Sequence, residues 1–316
     1  MTTNEKHGLL KSLAPSRTTS AMVLAALMVL GAGALRNDGV AGLPERVYWA
    51  NKFEFSRCAD VVVAGDSRVQ TGIAPSEMSP RLGNLRVRNF GFEGVGWSSE
   101  YLDAIEDVLD PQSPRRIIVL GTTPHSFTPK SCIISGFVRE KHNAAQRSLL
   151  DSAGREVLAF FEPMSIKNAL RKLFFIETHA RYRYEYTRDG WAATVRLRPD
   201  PTLSLEPYRN SVFRNNTFSA EVMHRLLDRV HRWHGEGIMV FAFAPPTTRA
   251  MIAVEREVSG FDQAAFVPKF RAAGGIWLVF ADGTYDTYDG SHLDRPSAER
   301  FSRDLADAIR RNLRAD

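Results

Sequence analysis

Residues 60–67 read DVVVAGDS, and the run up to Gly65 does not alternate apolar with polar as a half-buried strand does. A short continuous apolar run fits a strand covered on both faces, the usual situation in a parallel sheet. It ends in Gly65-Asp66-Ser67, a strand-to-helix turn. Working outward, comparable runs recur at Leu85–Phe90, Arg116–Gly121, Ile238–Ala244 (stopped by Pro245-Pro246) and Ile276–Phe280. Helical periodicity fills the gaps. Ser98–Leu109 places Tyr101, Leu102, Ile105, Val108 and Leu109 on one side, with Ser98 or Ser99 as its cap. Thr217–Glu236 is closed by Gly237, Asp262–Ala273 by Gly274-Gly275, and Pro296–Leu313 ends the chain as an amphipathic helix. Strands alternating with helices predict an α/β fold: a doubly wound parallel sheet with helices on both faces.

Between Pro124 and Asn216 this rhythm breaks. The stretch of about 125–216 is long, aromatic and irregular, with helices expected near Ala144–Phe161 and Ser165–Phe175. It reads as a strandless insertion capping a site. Within it, the basic aromatic tract Arg181–Arg198 reads as a solvated strand pair, the alternative being a surface that meets glycan, lipid headgroup or nucleic acid.

The 316 residues, 44% hydrophobic and 24% charged, suffice for one full-sized core. The net charge of +5 comes mainly from Arg, without a basic run that would suggest a nucleic-acid partner. Cys58 and Cys132 fall near opposite ends of the expected sheet, so no disulfide is expected. His224, His231 and His234 share part of a helix and are not read as a metal site. No metal or cofactor is expected.

The N-terminus carries Ala21–Leu35, an uncharged run preceded by Lys6, Lys11 and Arg17. Basic residues before an apolar run hold that end in the cytoplasm. The run is short for a span unless Thr18, Thr19 and Ser20 extend it. Ala32 and Ala34 form an A-x-A-like pair, which leaves a cleaved signal peptide as the alternative to a single-pass anchor. Residues 1–40 therefore read as a cytoplasmic tail with an inner-membrane anchor or signal peptide. Residues 41–316 read as a periplasmic or otherwise extracytoplasmic domain, secreted if the segment is cleaved.

Ligands of open parallel sheets bind beyond the carboxyl ends of the strands. Ser67 stands at the first of these ends, and Asp289 and His292 lie three apart before the last helix. A serine hydroxyl needs a base to take its proton and a third group to orient that base. One short loop supplies both. Gly94, without a side chain, leaves its amide open to a reacting oxyanion. His125, after the third strand, is a candidate to line the cleft or a loop histidine without function. The G-x-S-x-G elbow is absent, since position 69 is Val.

Gly65-Asp66-Ser67, then Asn89 to Gly94 (N-x-G-x-x-G), then Asp289 to His292 within DGSHL resemble the SGNH (GDSL) hydrolase superfamily over roughly residues 60–312, insertion excluded. The resemblance implies an SGNH or flavodoxin-like three-layer sandwich. In it Ser67 is nucleophile and oxyanion donor, Gly94 a second backbone donor, His292 the base and Asp289 its orienter. The family's G-x-N-D motif reads Gly121-Thr122-Thr123-Pro124 here, so Thr123 stands where the oxyanion-hole Asn is usual. The implied activity is esterase or O-acyltransferase chemistry on an acylated carbohydrate or other small ester. The alternative is a catalytically weak or inactive carbohydrate-binding or assembly protein on the same fold.

Overall fold

The structure is a computed structural model that describes residues 17–36, 42–43, 45–147 and 182–313. The chain divides into two compact units. Of the first, helix α1 (Arg17–Arg36) is described, with Met22, Val23, Leu24, Leu27 and Met28 exposed along it. Among the described residues no helix is long and apolar enough to cross a membrane. Lys6 and Lys11, the expected helix near Ser165–Phe175 and most of that near Ala144–Phe161 lie outside the described residues.

The second unit holds strands β1 (Val61–Gly65), β2 (Val87–Gly91), β3 (Ile117–Gly121), β4 (Tyr182–Tyr186), β5 (Ala192–Arg196), β6 (Met239–Phe243) and β7 (Ile276–Leu278). Its principal helices are α2 (Glu45–Phe53), α3 (Ser67–Gly72), α4 (Ser99–Val108), α5 (Gly136–Arg147), α6 (Ala220–Gly235), α7 (Arg249–Val258), α8 (Gln263–Ala272) and α9 (Arg295–Asn312). Five strands form one sheet in the order β2-β1-β3-β6-β7, every pair parallel. The α/β reading of the sequence holds at this level. The order reverses direction between β1 and β3, which makes their carboxyl ends the switch point where such sheets bind ligands.

All of β1 is buried, and its residues divide by parity. Val62 and Ala64 join one core with Ile118, Leu120, Val240, Tyr101 and Trp233. Val61 and Val63 join the other with Ile117, Val119, Phe241, Phe301 and Leu305. Burying each valine contributes roughly 1.5–3 kcal/mol, so a polar residue at either parity would be costly. This is why the run does not alternate. Helices α4, α6 and α8 cover one face, α3 and α9 the other.

Three glycines, Gly91, Gly65 and Gly121, stand level at the ends of adjacent strands, and α3 sits directly on them. A Cβ on Gly121 would lie 2.2 Å from Val69 Cγ2, so only glycine permits this approach. Asn89, fully buried beneath the helix, donates through Nδ2 to the carbonyls of Val69 (2.7 Å) and Ile73 (2.8 Å) and accepts from the Gly91 amide (2.9 Å).

The observed elements depart from the sequence reading in three places. β7 is shorter than the expected Ile276–Phe280, because Val279 is 79% exposed beyond its end. Helix α7, capped by Thr248, was not anticipated. The insertion is not strandless: β4 and β5 pair as an antiparallel hairpin within Arg181–Arg198. Nor is that hairpin merely solvated. Trp191 and Ala192 to Thr194 are buried, and the Trp191 indole donates to Thr71 O at 2.7 Å, tying the hairpin to α3.

Asn89→Leu keeps the bulk of the side chain and strands buried carbonyls at the end of α3. It should lower stability by about 1–3 kcal/mol; an unchanged urea midpoint would show that these carbonyls find other partners.

Candidate active site

From Ala59 to Pro75 every residue is buried except Ser67, which is half-buried. Asp66 caps α3, its Oδ1 accepting from the Arg68 amide at 3.0 Å, which leaves Ser67 on the helix's first turn at the carboxyl end of β1. Across from it, the loop between β7 and α9 carries Asp289 and His292. Ser67 Oγ lies 2.7 Å from His292 Nε2, and His292 Nδ1 lies 2.8 Å from Asp289 Oδ2. The three residues expected to act together are thus brought into one hydrogen-bonded chain. His292 is 14% and Asp289 8% exposed at the side chain, so both are largely withdrawn from solvent.

Asp289 accepts four bonds. Oδ1 takes the Ser291 and His292 amides at 2.9 and 2.8 Å, and Oδ2 takes His292 Nδ1 and the Ser204 hydroxyl, each at 2.8 Å. Burial alone would raise its carboxyl. The His292 imidazole and these donors overcome that and hold it well below the usual carboxylate range. An ionised Asp289 accepts from Nδ1–H, which leaves Nε2 as the acceptor facing Ser67. Gly290 permits the turn: its φ is +90°, and a Cβ there would meet Pro201 O at 2.0 Å.

Arg68 follows the serine and, unlike it, is buried. Its guanidinium donates to both Glu255 carboxylate oxygens (2.8 and 3.3 Å) and to Ser291 Oγ (3.0 Å). Its Cζ lies 5.6 Å from the Tyr208 ring centre, and Ser291 Oγ and Tyr208 Oη are 3.2 Å apart. One side chain therefore joins the serine helix, the histidine loop, α7 and the segment around Tyr208.

Among the described residues, the amides of Ser67 and Gly94 donate to no other group. Thr123 does stand at the end of β3, but its hydroxyl donates to Asp66 Oδ2 at 2.5 Å and it is 1% exposed. The expectation that it serves as a third oxyanion donor is corrected: the stronger acceptor, a buried carboxylate, holds its proton. His125 stands beside Gly94, with Cε1 3.6 Å from where a Cβ on that glycine would lie. Behind the glycine loop, fully buried Lys52 donates to Gly91 O at 2.5 Å and lies 4.8 Å from the Phe92 ring centre. Burial pushes its ammonium well below the usual lysine range, against the pull of Asp189.

Arg68, Ser204, Tyr208 and Glu255 were missed by sequence reasoning. Glu255, four residues after Met251 and three before Val258, lies on the buried face of α7, a signal that went unread because α7 itself was not anticipated; Ser204, within the insertion, carries no such signal. Ser291 alone was flagged, as the middle of DGSHL. A surface hollow lined by Arg209, Asn210, Phe213, Arg214 and Val258 does not contain the triad. It adjoins the site through Phe213, whose ring lies 6.1 Å from those of both His125 and Tyr208. Among the described residues no group of His, Cys, Asp or Glu is arranged to hold a metal ion. No family model, curated protein or solved structure matches the chain.

Glu255→Ala leaves the Arg68 charge buried without its partner, which should cost about 3–5 kcal/mol of stability. Replacing the pair together, by Arg68→Met with Glu255→Leu, should recover much of that loss. Chemical denaturation of the three variants checks both statements.

Proposed function

We propose that this chain is a serine-dependent esterase or O-acyltransferase of SGNH type that works through an acyl-serine intermediate. The observation that carries the reading is the chain Ser67 Oγ to His292 Nε2 to Asp289, at 2.7 and 2.8 Å, at the switch point of the sheet. In the first half-reaction Ser67 Oγ adds to the acyl carbonyl carbon as its proton passes to His292 Nε2. The carbonyl π pair moves onto oxygen, facing the Ser67 and Gly94 amides. The C=O bond then re-forms, and the leaving alkoxide departs with the proton from His292. Asp289 stabilises the imidazolium between these steps. Water or an acceptor hydroxyl then repeats the sequence in reverse, giving hydrolysis or transfer. An acylated surface carbohydrate, or a related small ester, is the proposed substrate class.

A second reading has its own observation. With the Thr123 hydroxyl committed to Asp66, one donor of the usual oxyanion set is missing, which suits a weak catalyst or a carbohydrate-binding or assembly protein. A fluorophosphonate probe discriminates. The enzyme reading expects labelling of the wild type that Ser67→Ala abolishes and His292→Ala lowers at least about 10³-fold. No labelling of the wild type at any pH favours binding.

The proposed placement is extracytoplasmic, with the uncharged run after Lys6, Lys11 and Arg17 acting as an export signal, cleaved or retained. A periplasm-dependent reporter fused after Asp316 should be active. Strong activity from a cytoplasm-dependent reporter at the same position would reverse the placement.

A further inference from the structure

We propose that His125 is a catalytic residue, supplying through its ring N–H the third oxyanion donor that Thr123 does not provide. The inference rests on the acyl-serine reading and deepens it, since it concerns the same site. Thr123 is placed by Asp66 below and by the turn above it: its Oγ1 accepts from the Ser126 amide at 3.3 Å and lies 3.0 Å from Ser126 Oγ. That turn, the short helical segment Pro124–Phe127, begins at Thr123 and carries His125 on its second residue. The imidazole is thereby lifted from the strand end to the Gly94 loop.

Three features point to a ligand-facing role. Cε1, the atom between the two ring nitrogens, is the heavy atom nearest a Cβ built on Gly94, at 3.6 Å, so the ring sits beside one of the two backbone donors. Phe213 meets the imidazole edge-on, at 6.1 Å and 79°, and holds its plane. Among the described residues neither ring nitrogen has a hydrogen-bond partner, and the residue is half-buried. Burial, with help from Arg68 and against Asp66, lowers the imidazole's pKa below its ordinary value of 6.5. That direction favours the neutral ring, which carries one N–H.

During addition of Ser67 Oγ the carbonyl π pair becomes the oxyanion, and the Ser67 amide, the Gly94 amide and the His125 N–H meet it together. No proton is transferred from His125. When the C=O bond re-forms, the three bonds weaken equally, and the leaving alkoxide takes its proton from His292.

Loss of one oxyanion donor typically lowers kcat by about 10²–10³-fold. His125→Phe keeps the ring and its packing on Phe213 but has no N–H. With 4-nitrophenyl acetate and the full chain, it should lose kcat on that scale while KM stays close to wild type. His125→Gln returns an amide donor and should recover part of the loss, whereas His125→Ala should not. Ser67→Ala is measured alongside. His125→Phe turning over at the wild-type rate while Ser67→Ala is inactive overturns the donor role and leaves the nucleophile in place. If His125→Phe unfolds early in a thermal melt, the other pair decides: a Gln variant no faster than Ala also overturns the proposal. Wild-type turnover by Ser67→Ala removes the acyl-serine reading and this inference with it.

Discussion

A parallel sheet covered on both faces has nowhere to place polar chemistry except at its ends. In this chain β1 is buried along its whole length, and the layers above and below it are continuous apolar cores. An ionised or hydrogen-bonding group within either layer would lose its hydration without replacement. Polar side chains therefore collect where the strands stop, at the turn into α3, after β3, and in the loop before α9. The glycine row Gly91, Gly65 and Gly121 lets α3 settle onto those ends, which turns the first residue of that helix toward the opposing loop.

Holding Ser67 opposite His292 is a separate problem, because they belong to elements 225 positions apart in the chain. The structure meets it with Arg68. Its planar guanidinium reaches Glu255 with two bonds and Ser291 with a third, a geometry that Lys could not reproduce. Such a buried pair adds little net stability, since desolvation offsets most of the attraction. What it provides is a defined relation between helix and loop. The neighbouring bonds are consistent with that role: Asp289 is saturated with donors, and Asp66 receives both the Arg68 amide and the Thr123 hydroxyl. Thr123 is thus part of the support under the serine turn, and the proposed third donor, His125, stands two residues further along.

Much of this was legible in the residues alone. Continuous apolar runs at five places, with periodic stretches between them and a cap at Ser98 or Ser99, determined the α/β class and the approximate elements, because burial on two faces and capping leave local marks. Ser67, Asp289 and His292 were legible because their order and their places at strand and helix ends are properties of the chain. Tertiary packing decided the rest. The direction of the Thr123 hydroxyl depended on Asp66, 57 positions away. The burial of Arg68 depended on Glu255, 187 positions away, and the hairpin of the insertion became fixed by Trp191 reaching Thr71. Each of these is a choice among acceptors or surfaces that only folding brings within reach. A pattern of residue types specifies which groups can bond, but distance specifies which of them do.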